Sequence, residues 1–236
     1  MSEPDTPTLV LLHGLAGGTD VWAGLGPELD RHWPGPWLAP DLPGHGGAAP
    51  LPRYTFGGLA ARVAEDLDPG RPVAVLGHSL GGVLALALAS GWFGGQVVAA
   101  AALGVKVSWT PEDLARAGSL AAKPAKVFGT AEEARAWAGK LAGLPAGAVV
   151  ETEAGWRATV DPGAFGVGRP DLVGLLAAAR CPVVLAAGEL DPMSPADQLR
   201  VLTPEPLVLP GLGHNAHVED PTALLPLLDR LLDAVR

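Results

Sequence analysis

Short, uninterrupted apolar runs alternate with amphipathic stretches along most of this chain. Residues 8–12 (TLVLL), 37–39, 73–76, 97–103, 182–187 and 207–209 form such runs. They are apolar at nearly every position rather than at every second one, which predicts strands buried on both faces, as in a parallel sheet. Between them the spacing turns helical. Val21, Trp22, Leu25 and Leu29 share one helical face within 20–31, although Gly24 and Pro27 interrupt it. Phe56, Leu59, Ala60 and Val63 do the same within 54–67, and an alanine- and leucine-rich helix follows residue 79. The final amphipathic stretch, 221–235, has Pro226 placed to kink its first turns. Strands and helices in alternation predict an α/β fold, a mostly parallel, doubly wound sheet of about six strands.

The alternation breaks after Gly104. Thr110-Pro111-Glu112-Asp113 combines an N-cap threonine, a proline at the first helical position and an acid at the third, so a helix starts there. Thr130-Ala131-Glu132-Glu133 is a capping box opening a second helix to about Leu141. Residues 142–170 are glycine-rich and read as irregular. With no strand expected between the two helices, 108–170 is predicted to be a small helical cap inserted into a core formed by 1–107 and 171–236. Ser194-Pro195-Ala196-Asp197 then opens a core helix by the same cap logic.

Composition narrows the possibilities. At 236 residues and 48% hydrophobic, the chain can bury one core with a small lid. A net charge of −9 without a lysine/arginine cluster argues against nucleic acid and anionic membrane as partners. No apolar run approaches the ~20 residues of a membrane span. The acidic start, MSEPD, lacks the basic and apolar regions of a signal peptide, so a cytoplasmic location is expected. The lone Cys181 excludes an internal disulfide and a cysteine-rich zinc site, and is expected to be buried packing. No metal constellation and no phosphate-cradling glycine loop is visible, so neither a metal nor a cofactor is expected. The oligomeric state is left open.

The chemistry centres on Gly77-His78-Ser79-Leu80-Gly81. A G-x-S-x-G sequence between an apolar strand and a helix is the setting of a nucleophile elbow, with Ser79 at the apex of a strained turn. A serine hydroxyl is a weak nucleophile until a base takes its proton. His214 lies on the loop leaving the last strand, and Asp191 a few residues beyond the one before it. Both therefore sit at the carboxyl edge of the sheet, where Ser79 stands. The order Ser79, Asp191, His214 is the one G-x-S-x-G enzymes show. Glu189 is the nearest rival acid and His217 the nearest rival base.

These motifs resemble the α/β-hydrolase superfamily, in its compact, helical-cap, serine esterase-like branch. The resemblance rests on L-L-H-G at 11–14, D-L-P-G-H-G at 41–46, G-H-S-L-G-G at 77–82 and G-H-N-A-H-V-E-D-P at 213–221. It implies an oxyanion hole from the backbone N–H groups of Leu80 and Leu15, such donors being worth ~3–4 kcal/mol each. It also implies that His13, Asp41, His45 and His78 brace loops. Members that attack with aspartate (haloalkane dehalogenases, epoxide hydrolases) or cysteine (dienelactone hydrolases) are excluded by Ser79. The expected activity is cleavage of small to medium carboxylic esters, a small-molecule ester-type substrate, through an acyl-serine. The alternatives are a carbon–carbon-bond hydrolase or a proton-transfer lyase like that of menaquinone synthesis, or a non-catalytic ligand receptor. The lyase-type alternative would need cationic cap residues, for which Arg116, Arg135, Arg157 and Arg169 are available. Trp109, at the cap hinge, is the expected substrate-wall residue.

Overall fold

The computed structural model describes residues 6–235. Strands β1 (Thr8–Leu12), β2 (Trp37–Leu38), β3 (Pro72–His78) and β4 (Gln96–Leu103) precede the cap region. Within that region lie β5 (Val127–Phe128), β6 (Val149–Thr152) and β7 (Gly155–Ala158), and beyond it β8 (Val183–Gly188) and β9 (Leu207–Leu209). The core sheet is six-stranded and wholly parallel, in the order β2-β1-β3-β4-β8-β9.

The inner strands β1, β3, β4 and β8 are buried on both faces over most of their length, as continuous apolar runs require, while the edge strands β2 and β9 are only partly covered. Leu9 and Leu11 of β1, with Ala74 and Leu76 of β3, face one layer; Val10, Leu12, Val73 and Val75 face the other. Helices α1 (Gly26–His32) and α9 (Leu225–Ala234) cover the first face through Leu29, Leu227, Leu228 and Leu231. Helices α2 (Phe56–Glu65) and α3 (Leu80–Ala89) cover the second through Leu59, Val63, Leu84 and Leu88. Helices α6 (Leu172–Ala178) and α7 (Ala196–Leu202) extend that layer with Leu172 and Leu199. Helix α3 is buried at every residue, so its alanine and leucine composition reflects an all-round apolar setting rather than a one-sided stripe.

Between β4 and β8 stand α4 (Pro111–Ala121) and α5 (Ala131–Ala142). The N-cap residues are those the sequence encodes: Thr110 and Asp113 make a reciprocal capping box, whereas at α5 only half of the expected box forms, the Thr130 hydroxyl accepting from the Glu133 amide and donating to the Glu133 carboxylate. The expectation of a purely helical insertion with an irregular second half is corrected here. Strands β5, β7 and β6 form a three-stranded antiparallel sheet, followed by a 3-10 turn at Pro162–Val167. These strands are two to four residues long and alternate no apolar stripe, so no periodicity announces them.

Smaller differences have local causes. The 20–31 stretch splits around Gly24 into a 3-10 turn, Thr19–Trp22, and α1, whose first turn accommodates Pro27 rather than breaking at it. The 221–235 stretch splits into a 3-10 turn, Pro221–Leu224, and α9, with Pro226 in the first turn of α9. Pro195 rather than Ser194 occupies the N-cap position of α7, and the buried Ser194 hydroxyl has no partner among the described residues. Helix α6, capped by Asp171, and the single-turn α8 (Ala216–Glu219) carry too little apolar periodicity to be read from sequence. Cys181 is half-buried, not fully enclosed.

Candidate active site

The strand register gathers five loops at one edge. Leu12 pairs with Gly77, His78 with Leu103, Leu103 with Ala186 and Gly188 with Leu209, so the carboxyl ends of β1, β3, β4, β8 and β9 lie level. Ser79 occupies the junction of β3 and α3 with φ 51° and ψ −111°, a conformation that L-residues avoid. The neighbouring sequence makes that turn possible. A Cβ on Gly77 would run into the Gly81 carbonyl, and one on Gly81 into the Leu12 carbonyl. Two backbone bonds hold the strain in place: Ser79 N–H donates to Leu103 O at 2.8 Å and Gly81 N–H to His13 O at 3.1 Å.

His214 and Asp191 are joined. The His214 Nδ1–H donates to Asp191 Oδ2 at 2.9 Å, so that in the neutral imidazole Nε2 is the nitrogen left to accept a proton. The Asp191 side chain is fully buried, and its other oxygen accepts from the Met193 amide at 2.8 Å. A carboxylate so held keeps the imidazole in one tautomer and stabilises the imidazolium. Gly104 makes room for the pair. Its φ is +65°, and a Cβ there would stand 3.2 Å from Asp191 Oδ2 and 3.4 Å from His214 Nδ1. The rival residues are otherwise engaged. Glu189 is exposed and accepts from the Gly211 amide at 2.9 Å. His217 is buried, its ring 4.1 Å from that of His78 and 4.7 Å from that of Trp22. Burial, reinforced by the neighbouring His214, pushes the His217 pKa down to about 3.

Ser79 and His214 are not hydrogen-bonded to one another; the half-buried Ser79 hydroxyl has no hydrogen-bond partner among the described residues. Such bonds commonly close only when substrate arrives. The amides of Leu80 and Leu15 are likewise without an acceptor among the described residues. Leu80 opens α3, where the first N–H groups have no intrahelical partner. The loop carrying Leu15 passes close to the elbow: a Cβ on Gly14 would lie 3.3 Å from Ser79 Cβ and 2.8 Å from His78 Nδ1.

The other histidines lock these loops. His13 Nε2 accepts from the Leu42 amide at 2.9 Å while Nδ1–H donates to Gly14 O at 2.8 Å. His45 packs edge-on against His13, and its pKa falls to about 4, first through burial and then through His13. Asp41 accepts from the Thr19 and Gly47 amides. His78 Nε2–H donates to His214 O at 2.8 Å, fixing the backbone of the residue that pairs with Asp191.

Two further residues shape this edge, and sequence reasoning did not single them out. The Glu219 carboxylate accepts from the Gly213 amide at 2.6 Å and the Asn215 amide at 3.2 Å, bracketing His214. The Asn215 side chain donates across to Gly143 O at 2.9 Å and Ala142 O at 3.4 Å, at the end of α5. Both lie within the G-H-N-A-H-V-E-D-P stretch, and their type next to His214 was the available signal. Trp109 is half-buried. It lines a cleft of about 480 Å³ with Val107, Arg169, Leu172 and Leu202, and neither Ser79 nor His214 belongs to that lining.

A parallel six-stranded sheet, a strained serine elbow and a histidine–carboxylate pair at one edge together define an α/β hydrolase architecture. The sequence model of the alpha/beta hydrolase family matches residues 9–227, and the chain belongs to that family. Among curated proteins it is similar to 2-succinyl-6-hydroxy-2,4-cyclohexadiene-1-carboxylate synthase of Klebsiella pneumoniae. The two are 36% identical over 90 residues, which is 37% of this chain and 34% of that protein. It is also similar to the pimeloyl-[acyl-carrier protein] methyl ester esterase of Neisseria meningitidis, 40% identical over 90 residues, 38% of this chain and 28% of that protein. The matched stretch thus spans about a third of the length of these relatives. Among solved structures, E-2-(acetamidomethylene)succinate hydrolase superposes with a TM-score of 0.73 at 20% identity, covering 97% of this chain and 92% of that one. That likeness shows the fold.

Proposed function

We propose that the protein is a serine hydrolase that cleaves small to medium carboxylic esters through an acyl-serine. The observation that carries this reading is the strained Ser79 beside two acceptor-free amides, Leu80 and Leu15, at the edge where His214 pairs with Asp191. In this mechanism His214 Nε2 takes the Ser79 proton as Oγ attacks the ester carbonyl. The carbonyl oxygen, becoming negative, is received by the two amides. The protonated His214 passes its proton to the departing alkoxide, and water then repeats the sequence to release the acid and restore Ser79. The similarity to a methyl ester esterase supports an ester substrate.

The similarity to a cyclohexadiene-carboxylate synthase favours a second reading, proton abstraction by the same residues without an acyl-enzyme. The cap cations bear on the choice. Arg116, Arg135 and Arg169 are exposed, the half-buried Arg157 donates to Ala158 O, and Arg157 and Arg169 line different cavities, which weighs toward the ester reading. The test is labelling with a fluorophosphonate probe followed by turnover of p-nitrophenyl esters. Label on Ser79, absent in Ser79→Ala, with short esters cleaved and palmitate not, is the expected result. Label on Ser79 without hydrolysis of any ester would transfer the assignment to the second reading.

A further inference from the structure

All four lysines of the chain, Lys106, Lys123, Lys126 and Lys140, fall between positions 106 and 140. In a protein of net charge −9 this is an uneven distribution. Lys106 is paired with Asp113 at 3.0 Å, and Lys140 stands in the last turn of α5, where a cation complements the helix dipole. Lys123 directly follows Ala122, the C-cap of α4, where a cation is likewise favoured, whereas Lys126 has neither explanation. They flank a cavity of about 450 Å³ whose walls are otherwise apolar, among them Leu120, Trp137, Leu141, Val160 and Phe165. That volume lies within the ~300–1,000 Å³ of small-molecule sites.

Lys126 is exposed, yet its ammonium lies over two aromatic rings. It stands 4.7 Å from the Phe128 ring centre and 4.8 Å from that of Trp137, which is itself a wall of the cavity. Among the described residues neither Lys123 nor Lys126 has a carboxylate partner. The nearby Asp161 is occupied, accepting from the Tyr54 hydroxyl at 2.8 Å and from the Gly163 amide at 2.8 Å. An apolar chamber of small-molecule size thus carries an aromatic-seated cation at its rim with no internal counter-charge.

We propose that this cavity binds an amphipathic carboxylate, its chain among Trp137, Leu141, Val160 and Phe165 and its anionic end at Lys126. The lining contains none of Ser79, Asp191 and His214, so the site stands whether or not the ester-cleaving reading holds. Isothermal titration of wild-type protein and of Ser79→Ala with octanoate and, separately, with 1-octanol tests it. Both proteins should bind octanoate alike. Lys126→Gln should weaken octanoate by ~3–5-fold and leave octanol unchanged. Ala125→Trp, which fills the cavity from a half-buried loop position, should abolish binding of both. Thermal melts matching wild type show that each variant is folded. Absence of octanoate binding to the wild type, equal weakening of both ligands by Lys126→Gln, or undiminished binding by Ala125→Trp overturns the proposal.

Discussion

The Asn215 side-chain amide donates to the Gly143 carbonyl at 2.9 Å, joining the loop that carries His214 to the end of cap helix α5. Gly143 has φ +69° and caps α5 in the left-handed conformation, which turns its carbonyl toward the core. The latch therefore ties the position of the cap to the residue beside the candidate base. Asn215→Ala should raise KM for an ester substrate roughly 5-fold, the worth of one hydrogen bond of about 1 kcal/mol. The turnover number should change less. Asn215→Asp, equal in size but unable to donate, should behave like alanine, and both should speed proteolysis near residue 143. An unchanged KM in both variants would remove the latch.

Asp191 and Glu189 lie two residues apart yet face different partners, His214 and the Gly211 amide. Asp191→Asn should lower kcat/KM by ~10³-fold or more, whereas Glu189→Gln should change it little. The histidines divide in the same way. His214→Ala should cost at least ~10³-fold in turnover, and His217→Ala much less per folded molecule, because His217 packs between Trp22 and His78. Steady-state kinetics on short p-nitrophenyl esters decides both comparisons. A larger loss at Glu189 or His217 would reassign the role.

These residues also show what sequence conveys and what it does not. The parallel core was legible because a strand buried on both faces writes itself as a continuous apolar run. The serine turn of the candidate site was legible in outline because Gly77 and Gly81 are sterically obligatory beside it. Strand β5 was hidden because its ladder joins residues far apart in the chain, Val127 to Arg157, whereas β6 and β7 form a local hairpin, Thr152 facing Gly155, too short and too mixed in polarity to show an alternating stripe. Nothing local to Val127 encodes that pairing. The Glu219 bracket and the Asn215 latch were hidden for a similar reason, since a carboxylate or an amide discloses its partners only once the loops have folded.

Gly104 is the glycine whose replacement most directly tests the geometry of the site. It combines φ +65° with close approach to both Asp191 and His214. Gly104→Ala must place a Cβ in left-handed backbone, at about 1–2 kcal/mol, and press it against the pair. The melting temperature should fall by roughly 2–8 °C. Turnover should fall by an order of magnitude, about 10-fold, because the Asp191–His214 bond is displaced. Full activity in a destabilised Gly104→Ala protein would show that the pair tolerates the intrusion.

The buried histidines predict how stability depends on pH. His13, His45, His78 and His217 all have pKa values below the usual histidine value, in each case chiefly through burial; His45 falls to about 4 and His217 to about 3. For a group whose folded pKa is depressed, the unfolded chain binds the extra proton. The stability is therefore complete above the unfolded value, 6.5, and is lost as pH falls toward the folded value. Each such histidine contributes a slope of up to about 1.4 kcal/mol per pH unit in that window. Carboxylates do not confuse the reading: Asp41, Asp113 and Asp220 are also depressed, but from 3.8, so their losses begin at more acidic pH. Urea midpoints should thus hold steady from pH 8 to 7 and decline steeply between about 6.5 and 5. His217→Gln should flatten that decline by about one proton, whatever its effect on absolute stability, since glutamine does not titrate. A stability profile level down to pH 5, or a slope indifferent to His217→Gln, would mean that these histidines are already protonated in the folded protein.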